Sequence, residues 1–140
     1  MLTERIGLLL GRENMVTAPP RANVFDAARL MLEHGASAVV VVEDGLLTGI
    51  LTEHDVVLRV VAAGRDPRSV GVEEVMTRDP VTIGPEETFG RAMTLMHEHH
   101  FRHLPVVENG KPIGVVLARD ALDPELEDFI CEERRREALR

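Results

Sequence analysis

Gly49-Ile50-Leu51-Thr52-Glu53-His54-Asp55 is a junction between a predicted strand at residues 46–51 and a predicted helix at residues 53–63. Apolar residues recur with helical spacing in the predicted helix, at Val57, Val60 and Val61. Thr52 therefore falls at the helix N-cap, and Asp55 follows three residues later. This junction decides the fold because the elements around it recur later in the chain.

The spacing of Thr52 and Asp55 permits two interpretations. In a capping box, the Thr52 hydroxyl accepts a hydrogen bond from a first-turn amide, and the Asp55 carboxylate accepts one from the N-cap amide. Alternatively, the helix start binds a ligand: its free amides and positive dipole end face a phosphate, and ionised Asp55 accepts hydrogen bonds from a sugar diol. The local sequence leaves both interpretations open.

Composition limits the class of protein. The chain has 140 residues, enough for one domain or for two small units that share a core. Sixteen basic and twenty-four acidic residues give a net charge of −8, which argues against a nucleic-acid partner. Cys131 is the single cysteine, so an intrachain disulfide is excluded. With no secretory or membrane-spanning run, we expect a cytoplasmic protein that does not bind a membrane.

The pattern of elements is mixed. We predict helices at residues 2–10 and 24–33, strands at 15–17 and 38–42, a hairpin turn at Asp44-Gly45, and a helical turn at 72–76. The inner face of the helix at 24–33 is predicted to hold Val24, Ala27, Ala28, Met31 and Leu32.

The chain repeats itself at a spacing of 65 residues. Between residues 16–55 and 81–120, 14 of 40 positions are identical without a gap. Gly45, Gly49 and Asp55 recur as Gly110, Gly114 and Asp120. The sequence therefore predicts an α+β fold of two tandem βαββα repeats that pack on each other with pseudo-twofold symmetry. The predicted units are an N-terminal segment with the first repeat at 1–71, the second repeat at 72–123, and a C-terminal helix at 124–140.

These features resemble a pair of CBS domains, a Bateman module, and the likeness extends to small stand-alone CBS-domain proteins. It rests on the Gly-x-x-Thr-x-x-Asp motif of Gly49, Thr52 and Asp55, on the Val-rich strands, and on the turn glycines. It covers about residues 14–122. The resemblance implies a cleft for an adenosine-containing ligand such as AMP, ATP or NAD(H).

The same resemblance implies which residues bind that ligand. In the first site, Thr52 and Asp55 hold ribose or phosphate together with Pro80, Val81, Phe101, Arg102 and His103. The second site joins Asp120 to Met15, Val16, Ala36, Ser37 and Ala38. Leu117 stands there in place of Thr52, and we expect the lost hydroxyl to weaken phosphate binding by about 1.5–3 kcal/mol.

Two classes of function follow. The first is a regulatory module that binds an adenine nucleotide and signals to an unknown protein partner through a change of shape. The second is a structural dimerisation module with an empty cleft. The resemblance also implies a homodimer formed through the repeat helices. We expect no enzymatic activity and no catalytic cofactor, because the sequence has no nucleophile–base pair and no P-loop. We expect no metal site in the histidine-rich segment from His97 to His103, because His99 and His103 would not share a helical face.

Overall fold

The computed structural model describes residues 2–10, 15–118 and 135–138. The predicted α+β fold with two tandem repeats is confirmed. The N-terminal segment holds helix α1 (Ile6–Leu9). The first repeat contains β1 (Thr17–Ala18), α2 (Val24–His34), β2 (Ala38–Glu43), β3 (Leu46–Thr52) and α3 (Glu53–Val56), and a π-helical turn (Val57–Val61) follows. The second contains α4 (Val72–Val75), β4 (Thr77–Arg78), α5 (Phe89–His99), β5 (His103–Glu108) and β6 (Lys111–Leu117).

The sheets reflect the repeat. The first is four-stranded, in the order β1-β2-β3-β4, with β1 and β2 parallel and the other pairs antiparallel. In the second, β5 and β6 form an antiparallel hairpin, and Ile83 makes a single parallel bridge to Val106 where the first repeat has β1. The register of strand pairing shifts at equivalent places in both hairpins, between Val41 and Val42 and between Val106 and Val107.

The helix caps follow from the sequence. Asn23 begins α2 by accepting a hydrogen bond from the Asp26 amide at 2.8 Å, and Thr88 begins α5 by accepting from the Arg91 amide at 3.1 Å. Gly35 ends α2 in the left-handed conformation, with φ of 60°. His100 takes the equivalent conformation after α5, as a non-glycine residue.

The leading segment of each repeat packs on the other repeat. The core under β2 and β3 is completed by Val70, Val72, Val75 and Met76, from the segment that leads into the second repeat and from its start. The core under β5 and β6 is completed by Leu2 and Ile6, from the N-terminal segment. Equivalent backbone hydrogen bonds join each repeat to the leading segment that covers it. The Val24 amide donates to the Val70 carbonyl at 2.9 Å, and the Phe89 amide donates to the Glu4 carbonyl at 3.0 Å.

The packing of the leading segments explains the glycines in β3 and β6. A Cβ atom on Gly49 would lie 2.8 Å from the backbone oxygen of Thr77 and would also meet the Met76 side chain. A Cβ atom on Gly114 would meet the side chain of Leu10, at 2.8 Å. The close approach of a leading segment therefore favours glycine at both positions, most strongly at Gly49, where the neighbouring atom is backbone.

Several expected details are wrong. Leu32 is not on the inner face of α2 but is 72% exposed. The helix expected at 53–63 is α-helical only as far as Val56, and in its continuation Val60 is buried while Val57 and Val61 are exposed. The first strand lies at Thr17–Ala18 and the first helix at Ile6–Leu9, both shorter or later than expected.

The C-terminal helix expected at 124–140 falls mostly outside the described residues, of which 135–138 are helical and exposed. Among the described residues, no helix has the length and apolarity to cross a bilayer. The unit boundaries at 71 and 123 stay predictions.

Candidate functional site

The junction between β3 and α3 forms a capping box. The Thr52 hydroxyl accepts from the Asp55 amide at 3.3 Å, and Asp55 Oδ2 accepts from the Thr52 amide at 3.0 Å. The Thr52 hydroxyl also lies 3.1 Å from Asp55 Oδ2, to which it donates. The capping interpretation of this pair is therefore realised in the structure.

Capping leaves Asp55 with further acceptor capacity. Its side chain is 6% exposed, and Oδ1 lies 3.7 Å from Nε of Arg59, one helical turn later. That distance is too long for a hydrogen bond, so Oδ1 can still accept hydrogen bonds from a ligand. A capping role and a binding role are thus compatible in one carboxylate.

Asp55 lines a cleft of about 730 Å³ between the two repeats. All seven residues expected at the first site lie in its wall: Thr52, Asp55, Pro80, Val81, Phe101, Arg102 and His103. Thr52 and Asp55 come from the end of β3 and the start of α3, whereas the other five come from the second repeat. The volume is in the range that holds a small organic ligand or cofactor.

Charge in this cleft has both signs. The cationic and imidazole side chains are His54, Arg59, His100, Arg102 and His103, and the carboxylates are Glu53, Asp55 and Asp79. Arg102 is exposed and follows α5, where its guanidinium can reach an anion in the cleft. Phe101 is half-buried, and its ring stacks on that of His99 with centroids 5.7 Å apart. A guanidinium and an aromatic ring from the second repeat thus lie opposite the Asp55 carboxylate.

His103 ties the two repeats together inside the cleft. Its Nε2 lies 2.7 Å from the hydroxyl of Ser37, at the start of β2. Burial lowers the pKa of His103 below 6.5, the nearby Arg102 charge lowers it further, and Asp55 partly opposes the shift. The ring is therefore neutral at pH 7.

The residues expected at the second site are only partly brought together. Val16, Ala36, Ser37 and Ala38 line a smaller cleft of about 80 Å³ beside Leu117 and His103, and Met15 does not line it. Asp120, the expected ribose ligand, lies outside the described residues. The described part of this cleft is too small for a nucleotide.

The dense histidine segment forms no metal site in the described structure. There, no three His, Cys, Asp or Glu side chains are placed to hold one ion. His97, His99 and His100 are exposed, while His103 is held by Ser37.

The most informative cleft residue that the sequence analysis missed is Arg59. Its NH1 donates to the carbonyl of Val75 at 3.0 Å, and a longer contact of 3.4 Å reaches the carbonyl of Met76. It thereby links the π-helical turn to the end of α4. The four-residue spacing from Asp55 is an acid–base pattern that could have identified it.

Known proteins with the same features agree with this architecture. The CBS-domain family model matches residues 10–62 and 72–125. The CBS domain-containing protein YhcV of Bacillus subtilis is 38% identical over 106 residues, which cover 76% of this chain and 75% of YhcV. Two other curated relatives are longer, and the chain spans 60% of one and 23% of the other.

Solved structures show the same fold. A putative signal-transduction protein with CBS domains from Burkholderia ambifaria superposes with a TM-score of 0.73 at 35% identity, covering 83% of this chain and 85% of that one. A CBS-domain protein from Pyrobaculum aerophilum, complexed with AMP, has a TM-score of 0.80 and covers 92% of this chain and 99% of that one. Its 23% identity supports the fold alone. With both repeats matched by the family model, the chain belongs to the CBS-domain family and carries a CBS-domain pair, a regulatory module.

Proposed function

We propose that this chain binds an adenosine-containing nucleotide of the AMP, ATP or NAD(H) type in the larger cleft and signals through the relative orientation of its repeats. The observation that carries the proposal is the placement of Thr52 and Asp55 from one repeat opposite Phe101 and Arg102 from the other. A ligand that contacts both walls favours one orientation of the repeats over others. The Pyrobaculum protein, which shares this fold, is complexed with AMP.

Each wall suits one part of such a ligand. The free oxygen of Asp55 accepts from ribose hydroxyls, and the Arg102 guanidinium donates to phosphate. Phe101 and Val81 offer an apolar surface for the base. Local cations are needed here because the protein as a whole carries a net charge of −8.

We further propose that the protein is a cytoplasmic homodimer without enzymatic activity. The partner that it regulates is unidentified. Support for the dimer comes from four exposed apolar side chains on α2 and the π-helical turn: Leu32, Val57, Leu58 and Val61. We call them the helical patch. Since α2 packs beside α3, which the turn continues, the patch lies on neighbouring helices.

A ligand-free dimerisation module is the second candidate. The complete capping box favours it, because stability alone would account for Thr52 and Asp55. Thermal melts with AMP, ATP, NAD⁺ and NADH separate the two candidates. A ligand present at about 100 times its dissociation constant adds about 2.7 kcal/mol to the free energy of unfolding.

Two cap variants make the test specific. Asp55→Ala and Thr88→Ala each remove a side chain from a helix N-terminus, at a cost of about 0.5–2 kcal/mol, but Thr88 lies outside both clefts. We expect Thr88→Ala to keep the nucleotide-induced shift and Asp55→Ala to lose it. An equal shift in both variants would show that nucleotide binds without Asp55, and no shift in the wild type would leave the ligand-free dimerisation module as the better account.

A further inference from the structure

The hydrogen bond between Ser37 and His103 lies in the wall that separates the two clefts. Both residues line the larger cleft and the smaller one, and they belong to different repeats. The pair is part-buried, with 2.7 Å between Ser37 Oγ and His103 Nε2. A change in this hydrogen bond therefore affects both repeats and both clefts.

The direction of the hydrogen bond depends on the protonation of His103. With a neutral ring, Nε2 either accepts from the Ser37 hydroxyl or donates to it, according to the tautomer. A protonated ring can only donate, so Ser37 then accepts, and the hydroxyl proton is free to bond elsewhere. Protonation thus adds a positive charge, and where Nε2 accepted in the neutral ring it also frees the Ser37 hydroxyl proton as a second donor in the same wall.

Several charged groups surround this ring. Arg102 precedes it in the chain, and Asp55 faces it from α3. Among the residues that the structure describes, the other titratable or charged ones that line either cleft are His34, Glu53, His54, Arg59, Asp79 and His100. Without a ligand, burial and Arg102 keep the pKa of His103 low, whereas a phosphate near Arg102 would raise it.

We propose that the larger cleft takes up a proton on His103 when it binds a phosphorylated ligand, so that His103 and Ser37 together make its preference for phosphate depend on pH. This inference rests on the proposed function and adds a specificity determinant to the same site. The proton comes from solvent and is released when the ligand leaves.

The sign of the effect follows from the two protonation states. Between the lower pKa of the free protein and the higher pKa of the complex, His103 is neutral when free and charged when bound. Over that range the dissociation constant falls as pH falls, by at most about tenfold per pH unit for one proton. Above the higher pKa and below the lower one, His103 contributes no pH dependence.

Calorimetric titrations with AMP and ATP between about pH 8 and about pH 6 test the inference, with adenosine as the ligand without phosphate. His103→Gln can keep a hydrogen bond to Ser37 but cannot titrate. His97→Gln is the matched control, since His97 is exposed on α5 and lines neither cleft. The ligand's own phosphate titration is common to all three proteins.

We expect the nucleotide affinity of the wild type and of His97→Gln to increase severalfold more on acidification than that of His103→Gln, with adenosine showing no such difference. Ring-proton NMR of wild-type His103 should show its pKa rising when AMP binds, a measurement that needs no variant. Parallel pH profiles in wild type and His103→Gln would overturn this inference and leave the proposed function standing. Absence of binding by AMP and ATP at every pH would overturn both.

Discussion

Gly49 and Gly114 are equivalent residues with unequal surroundings. Beside Gly49 lies the Thr77 carbonyl, a rigid backbone atom, whereas beside Gly114 lies the flexible side chain of Leu10. Backbone cannot move aside without disturbing β4, but a leucine can change rotamer. The two sites therefore differ in their tolerance of a methyl group.

Substituting each glycine by alanine tests this difference. We expect Gly49→Ala to lower the free energy of unfolding by about 1–3 kcal/mol, as overpacking does, and Gly114→Ala to cost less. Urea denaturation of both variants measures the two values. Equal losses would mean that the contact between Gly49 and Thr77 does not limit packing.

At this scale the sequence was informative about residue types but not about their environments. It predicted Thr52 and Asp55 as a pair, and the structure shows that pair as a capping box that also lines a cleft. It could not choose between cap and ligand site, because both need the same atoms at the same spacing. It also could not pair Ser37 with His103, since the two are 66 residues apart.

Among the elements, the π-helical turn at Val57–Val61 departs most from expectation. Valine spacing predicts a helix but does not specify whether a turn is α-helical or π-helical, and Val57 and Val61 are exposed although α-helical spacing groups them with buried Val60. Leu32 was misplaced for a related reason: an apolar side chain satisfies the periodic pattern whether a core or another molecule covers it.

Arg59 connects the π-helical turn to α4, and the stability that this connection adds can be measured. Its guanidinium donates to the Val75 carbonyl at the end of α4 and lies near Asp55. We expect Arg59→Gln to cost about 1 kcal/mol, since a charged hydrogen bond is lost from a half-exposed side chain. Arg65→Gln, which breaks the 2.9 Å ion pair with Glu74 between exposed groups, should cost less in the same urea experiment.

Helix α4 has an acid-sensitive start. The Gly71 amide donates to Glu74 Oε2 at 2.6 Å, and this bond, followed by that from Arg65, lowers the pKa of Glu74 below 4.5. A lowered folded-state pKa adds stability above the unfolded-state value, and that stability is lost as pH falls through the folded value. Glu74→Gln should therefore show a smaller loss of stability on acidification below about pH 4.5, measured by melts across that range. An unchanged acid profile would contradict the assigned cause.

For the whole molecule, the helical patch predicts the oligomeric state. A charge at Leu32, which is 72% exposed, would be buried without a partner in the proposed dimer. We expect Leu32→Glu to convert a dimer into a 15.5 kDa monomer, as measured by light scattering during size-exclusion chromatography. Leu8→Glu, at an exposed position of α1 outside the patch, should remain dimeric. A monomeric wild type, or a dimeric Leu32→Glu, would refute this interface.

The sequence repeat was sufficient to predict the two-unit architecture, since identical spacing of glycines and aspartates implies one fold used twice. It did not predict which repeat each leading segment covers. Leu2 and Val72 are apolar residues before a strand, and their sequence is equally consistent with packing on the nearer or the farther core.

The crossing of the leading segments bears on how such a chain could arise from a shorter gene. In this arrangement a single repeat would leave its core open, because the segment that precedes it reaches a neighbour. Two separate copies would therefore exchange segments, as swapped dimers do. Tandem duplication turns that exchange between molecules into a contact within one polypeptide, at a much higher effective concentration. Fusion of the genes would thus have preserved an assembly that already existed.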